Sequence, residues 1–193
     1  MNIRNWAVIT FLSLTFPFSG FTQEPDIIDF NLVDVTTGEK FILSGVDNKK
    51  GIVLLFVSND CPYSSYYIDR FKKLITTYQS RDILFLLVNA HLDSNESPSA
   101  MKNIAASWDL GVPYLADKTH ELKNMLGVEK SPTAVILKTI PKGYSIYYQG
   151  KIDNNPQVES DVKEAYLTDN IKTLLANKPP AHPNTRAIGC MIR

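Results

Sequence analysis

Three short apolar runs decide what this chain can fold into: residues 52–57 (IVLLFV), 83–88 (ILFLLV) and 134–137 (AVIL). None alternates apolar with polar residues, so none suits a sheet with one wet face. Each fits a central strand buried on both faces, and such strands need other elements packed above and below them. Helical patterns lie between the runs. Tyr67, Phe71, Leu74, Ile75 and Tyr78 recur at helical spacing within 62–78, and Met101, Ile104, Ala105 and Trp108 do so within 98–110. Ser97 is placed to cap the second of these, with Pro98 in its first turn. A short helix is expected from Asp117 as cap to Leu126, stopped by Gly127, and a last one over about 162–177. Residues 27–43 read as a hairpin turning at Thr36-Thr37-Gly38-Glu39, and 144–149 as a further strand. Strands alternating with helices define an α/β fold, here a central mixed sheet flanked by helices, with an N-terminal hairpin. From Lys178 onward the sequence KPPAHPNTRAIGCMIR has no regular period, which predicts an irregular C-terminal tail.

Composition removes several classes. With 44% hydrophobic and 21% charged residues the 193-residue chain is an ordinary globular one, not disordered, collagen-like or coiled coil. Twenty basic residues balance twenty acidic ones, which argues against a nucleic-acid partner. Two cysteines, Cys61 and Cys190, exclude a disulfide-rich scaffold and a four-cysteine zinc site. His91, His120 and His182 show no metal-ligand spacing, and each reads as a surface or tail residue. His182 with Cys190 and Met191 offers soft ligands suited to Cu(I), but in no known motif, so no metal is expected. Residues 1–22 carry one charge, Arg4, then an apolar stretch to about Phe18 and a small-x-small triplet, Gly20-Phe21-Thr22. This is the layout of a cleaved signal peptide, too short and too interrupted by Pro17 to anchor the chain stably in a membrane. The expected product is an exported, periplasmic or secreted protein beginning at Gln23, with a domain over 23–177 and the tail over 178–193.

The most informative segment is LLFVSNDCPYSSYY, residues 54–67. Cys61 follows a buried strand and a three-residue loop, and Pro62 opens a helix. A thiol at a helix N-terminus meets unpaired N–H groups and the positive end of the helix dipole, which favour thiolate and raise reactivity. Asp60 opposes that effect with its own charge. A second segment, Ser131-Pro132-Thr133, sits just before a strand, where a proline suits a cis bond in a tight turn.

On Cys61-Pro62-Tyr63-Ser64 and Ser131-Pro132-Thr133 the chain resembles the thioredoxin-like superfamily. It is most similar to the secreted redoxin branch, which includes the alkyl hydroperoxide reductase/thiol-specific antioxidant and ResA/TlpA-like proteins. Asp29-Phe30-Asn31-Leu32 and Gly150-Lys151-Ile152-Asp153 are similar to an early and a late strand of that fold. The likeness spans about residues 25–177. It implies that Pro132 stands beside Cys61, that Ser131 and Thr133 offer backbone groups to a substrate chain, and that Tyr63 frames the groove. Pro62 and Ser64 would support the site. No bound cofactor is implied, and the partners implied are protein or small-molecule thiols and disulfides.

One departure shapes the functional reading. Ser64 stands where a dithiol oxidoreductase has its second cysteine, and serine cannot resolve a mixed disulfide, because exchange needs a second thiolate. Glutathione or a partner thiol is one remedy. Cys190 is another: twelve residues beyond Lys178, it lies on a tail reaching at most about 40 Å, so pairing with Cys61 is permitted but not selected over a free or intermolecular thiol. Three functions stay open. A thiol–disulfide oxidoreductase using Cys61 and Cys190 leads. A thiol peroxidase follows, because Ser58 stands three positions before Cys61, where peroxiredoxins carry a hydroxyl residue, although Leu54 replaces their proline. A non-catalytic binding module is third.

Overall fold

The computed structural model describes residues 26–193, so the expected signal peptide and its cleavage point lie outside the described residues. The chain runs β1 (Asn31–Asp34), β2 (Lys40–Ile42), β3 (Gly51–Phe56), α1 (Pro62–Tyr66), α2 (Ile68–Tyr78), β4 (Ile83–Asn89), α3 (Pro98–Trp108), β5 (Tyr114–Ala116), α4 (Glu121–Leu126), β6 (Lys130–Ser131), β7 (Thr133–Ile140), β8 (Gly143–Gly150), α5 (Tyr166–Leu175) and β9 (Cys190–Met191). Seven strands form one mixed sheet in the order β2-β1-β5-β4-β3-β7-β8. β3 pairs parallel to β4 and antiparallel to β7, so the three apolar runs form its centre.

Side chains alternate across a strand, and the core divides accordingly. Val53, Leu55, Phe85, Leu87 and Ile136 face one way, onto Phe71 and Ile75 of α2, Met101 of α3 and Leu167, Ile171 and Leu174 of α5. Ile52, Leu54, Phe56, Leu86 and Val135 face the other way, toward Leu122 and Leu126 of α4 and Ile28, Phe30 and Leu43 of the N-terminal segment. Removing each such side chain from water stabilises the fold by roughly 1.5–3 kcal/mol. The second cluster also takes in Ile192, two residues from the C-terminus.

Several elements differ from the sequence expectation. The helix expected over 62–78 is divided at Tyr67, whose hydroxyl is drawn to the buried Asp153, 2.8 Å away. The helix expected over 162–177 is confined to Tyr166–Leu175. In α4 the cap is remote: Asp117 accepts from the N–H groups of Leu122 and Lys123 at 3.3 and 2.7 Å, while His120, in the left-handed region, holds the N-cap position. The tail is irregular only as far as Gly189; its last residues form β9, paired antiparallel with β6.

Candidate functional site

Cys61 is the N-cap residue of α1, with Pro62 in the first turn, and its own carbonyl accepts from the N–H groups of Ser64 and Ser65. The loop before it is held from below. Ser58 Oγ accepts from the N–H of Cys61 at 3.0 Å and of Asp60 at 3.2 Å, and donates to Glu96 at 2.5 Å. Ser64 Oγ accepts from the Ser58 N–H at 3.1 Å, so the serine in the second-cysteine position is a loop brace. Glu96 is buried and also accepts from the Asn59 N–H and from Asn89 Nδ2. Burial pushes its pKa up, but the hydrogen bonds from Ser58, Asn59, Asn89 and Asp60 prevail and hold it below the ordinary glutamate value.

Ser131-Pro132 is a cis peptide bond, and Cys61 Sγ lies 3.4 Å from the Ser131 carbonyl oxygen. Thus the structure brings together Cys61 and the 131–133 loop, as the resemblance implies. Thr133 Oγ1 donates to the Lys130 carbonyl, which stiffens the turn. Tyr63 is half-buried and meets the Tyr66 ring edge-on. His91 corrects the sequence reading. Expected at the surface, it is buried at the end of β4, its Nε2 2.8 Å from Ser131 Oγ. Desolvation holds its pKa below the usual histidine value. Behind it Lys118 Nζ donates to Asn89 Oδ1 and the His91 carbonyl, and burial lowers its pKa to about 8. His120 Nε2 donates to the Ala90 carbonyl at 2.6 Å. His182 is engaged by Asp169 at 3.3 Å and the Tyr166 ring, not by Cys190 or Met191. Among the described residues no group of three His, Cys, Asp or Glu could hold a metal.

Cys61 and Cys190 form a disulfide, with Cα atoms 6.0 Å apart. The tail that delivers Cys190 is anchored twice. Thr185 donates its N–H to the Gln149 carbonyl, and its Oγ1 accepts from the Lys151 N–H at 2.9 Å. Gly150 lies beneath it at φ +152°, where a Cβ would fall 2.1 Å from Thr185 Oγ1. Beyond, β9 lies on β6, the Ile192 N–H donates to the Glu129 carbonyl, and the Leu92 N–H donates to the Arg193 carbonyl, both at 2.9 Å. Cys61 is 2% exposed under this strand. Cys190 is half-buried and lines an open depression with His91, Asp60, Asp93 and Arg193.

Sequence reasoning missed Glu96 and Lys118, which sit in polar stretches with no local sign of burial, and Asn89, the polar end of the apolar strand β4. It also missed the buried pair of Arg70 and Asp153, in which Arg70 additionally donates to the carbonyls of Asn155 and Pro156.

A sheet of this order with a helix-capping cysteine beside a cis-proline loop defines a thioredoxin-like protein. The match to the AhpC/TSA family model covers residues 25–154, and the chain belongs to that family. No curated protein matches it significantly. Among solved structures it is similar to an uncharacterized conserved protein from Geobacillus kaustophilus (22% identity, TM-score 0.79, covering 90% of this chain and 93% of that one). It is also similar to a secreted disulfide oxidoreductase from Mycobacterium tuberculosis (17%, 0.52, 77% and 95%) and to an exposed lipoprotein thioredoxin from Streptococcus pneumoniae (24%, 0.52, 63% and 87%). These likenesses carry the fold.

Proposed function

We propose that this chain is an exported thiol–disulfide oxidoreductase whose redox couple is Cys61–Cys190. The observation that carries the reading is the pairing of the helix-capping cysteine with a cysteine on a docked tail strand, which supplies the second thiol absent at position 64. The electron flow follows from exposure. Cys190 is half-buried as a residue and Cys61 is 2% exposed, so an incoming thiolate attacks at Cys190. Its attack forms a bond to Cys190 and expels Cys61 with the electron pair. Cys61 is a good leaving group, because the helix N-terminus favours its thiolate. A second thiolate of the reductant then attacks the reductant's first sulfur and expels Cys190 thiolate, leaving two protein thiols and an oxidised reductant. In the other direction Cys61 thiolate attacks a substrate disulfide and releases one substrate thiolate. Cys190 then attacks Cys61 Sγ, releases the second and restores the couple. Pro132, Ser131 and Thr133 position the partner chain, with Tyr63 at the rim.

Export is supported by residues 1–22 and fits two oxidisable cysteines; secreted protein should begin at Gln23 by N-terminal sequencing. Among the described residues no helix is long and apolar enough to cross a membrane. The test of the reaction is turnover of a disulfide substrate by the mature protein. Cys61→Ser should abolish it, and Cys190→Ser should accumulate the mixed disulfide; undiminished turnover by the Cys61 variant would refute the reading. Peroxide reduction is the second reading, favoured by family membership and by Ser58. It ranks second because the Ser58 hydroxyl is spent on Glu96 and on two backbone N–H groups. Oxidation of reduced Cys61 by peroxide at the rate of free cysteine would remove it.

A further inference from the structure

The tail strand shows what the Cys61 surface accepts. Its position on β6 is fixed residue by residue: Cys190 opposite Ser131, Met191 opposite Lys130, and the Ile192 N–H bonded to the Glu129 carbonyl. Before the cysteine there is no room for a side chain. A Cβ on Gly189 would lie 2.0 Å from the Ser131 carbonyl oxygen, 2.6 Å from its carbon and 3.0 Å from Pro132 Cδ. Two of these atoms are backbone of a tight turn and cannot swing aside. One residue after the cysteine the side chain is free, since Met191 is 50% exposed. Two residues after it the side chain is enclosed, since Ile192 is 8% exposed and joins the apolar cluster with Leu122 and Leu126.

Resting on the oxidoreductase reading, we propose that the tail occupies the substrate place and carries the substrate's pattern. The reduced protein takes extended polypeptide segments of the form Gly-Cys-x-aliphatic, which add to β6 as the tail does. Selectivity has two sources. Any larger residue before the cysteine meets the Ser131 carbonyl, and a polar residue two positions after it is buried without a partner. Glutathione disulfide satisfies neither end: it has no aliphatic residue to fill the Ile192 site, and a γ-linked glutamate precedes its cysteine. It is therefore a poor substrate, and the partners are protein segments. On reduction the tail loses its covalent tie and gives way to such a segment. Cys61 thiolate attacks the segment's disulfide sulfur, the new bond joins Cys61 to the segment's cysteine, and the former partner thiol leaves with the electron pair.

The test uses the full mature chain with Cys190→Ser, in which Cys61 is the sole thiol. Its probes are peptides whose cysteine is activated as a mixed disulfide with 2-nitro-5-thiobenzoate, so that each attack releases one coloured thiolate. The parent peptide is Ala-Ile-Gly-Cys-Met-Ile-Arg. Three others replace its glycine by leucine, its methionine by lysine, or its second isoleucine by aspartate, and activated glutathione is the fifth probe. The parent and lysine peptides should react within about threefold of each other. The leucine and aspartate peptides and glutathione should be at least about tenfold slower. Fast release from all five overturns the proposal while leaving Cys61 a reactive thiol. Release from all five no faster than from free cysteine overturns the oxidoreductase reading as well. Adding Ile192→Asp to the Cys190→Ser chain weakens the resident strand and should speed the parent peptide severalfold; an unchanged rate shows that tail and segment do not share one place and overturns the proposal.

Discussion

Replacing Cys190 by serine removes one covalent bond and leaves the sheet as it is, so its cost can be worked from the connectivity. The bond joins residues 129 positions apart and so restrains most of the chain in its unfolded state. In the chain-entropy account, closing a loop of that length destabilises the unfolded ensemble by about 5 kcal/mol at 25 °C. The native side of the balance changes little. Among the buried hydrophobic residues, Ile192 is the one that the tail beyond Cys190 supplies, and the seven strands of the main sheet make their pairings without it. The variant should therefore fold with an unchanged far-ultraviolet spectrum and lose about 3–5 kcal/mol in urea unfolding, allowing for residual structure in the unfolded chain. For a domain of this size that corresponds to a fall in Tm of roughly 10–15 °C. Wild-type protein in excess dithiothreitol should reproduce the loss, because serine and a free thiol both leave the loop open. A variant within 1 kcal/mol of the oxidised wild type would show that the bond does not restrain the unfolded chain, and the reasoning fails.

Three other perturbations probe separate parts of the account. Gly189→Val places side-chain carbons against the Ser131 backbone, so air oxidation should close the Cys61–Cys190 bond at least about tenfold more slowly; quenched alkylation and mass spectrometry read this, and an unchanged rate contradicts the close approach. Asp153→Ala strands the buried Arg70 charge and removes the Tyr67 acceptor, which should cost about 3–5 kcal/mol in urea unfolding; a loss below about 1 kcal/mol would mean that the pair is not desolvated as the structure has it. His91 has its pKa lowered from 6.5 by burial, so as pH falls through 6.5 the unfolded chain binds the proton first and stability declines. His91→Gln should flatten the dependence of the urea midpoint on pH between 7 and 5, and an equally steep variant would exclude His91 as its source.

What the sequence disclosed was what short-range pattern can encode. The runs at 52–57, 83–88 and 134–137 announce β3, β4 and β7 because burial on both faces leaves no polar residue in them. Cys61-Pro62 announces a capped helix, and Ser131-Pro132 a tight turn. What stayed hidden depends on distant partners. β5 has three residues and is a strand only because β4 and β1 flank it. β6 and β9 have two residues each and exist only as a pair. Glu96 lies in the polar stretch Asp93-Ser94-Asn95-Glu96-Ser97, whose composition promises an exposed loop; the donors that bury it come from residues 58–60 and 89. His91 is buried where it meets Ser131 of the cis-proline turn, 40 positions away, and Gly189 reads as an ordinary tail glycine until the Ser131 carbonyl is set beside it.

The most direct test of the central claim is non-reducing peptide mapping of the purified protein, folded and under native conditions, before and after a mild dithiol. The account predicts a single crosslinked peptide joining Cys61 to Cys190 that disappears on mild reduction while the fold persists, and re-forms when the dithiol is removed. Two free thiols in the isolated protein, or a bond that opens only after the chain is denatured, would contradict it.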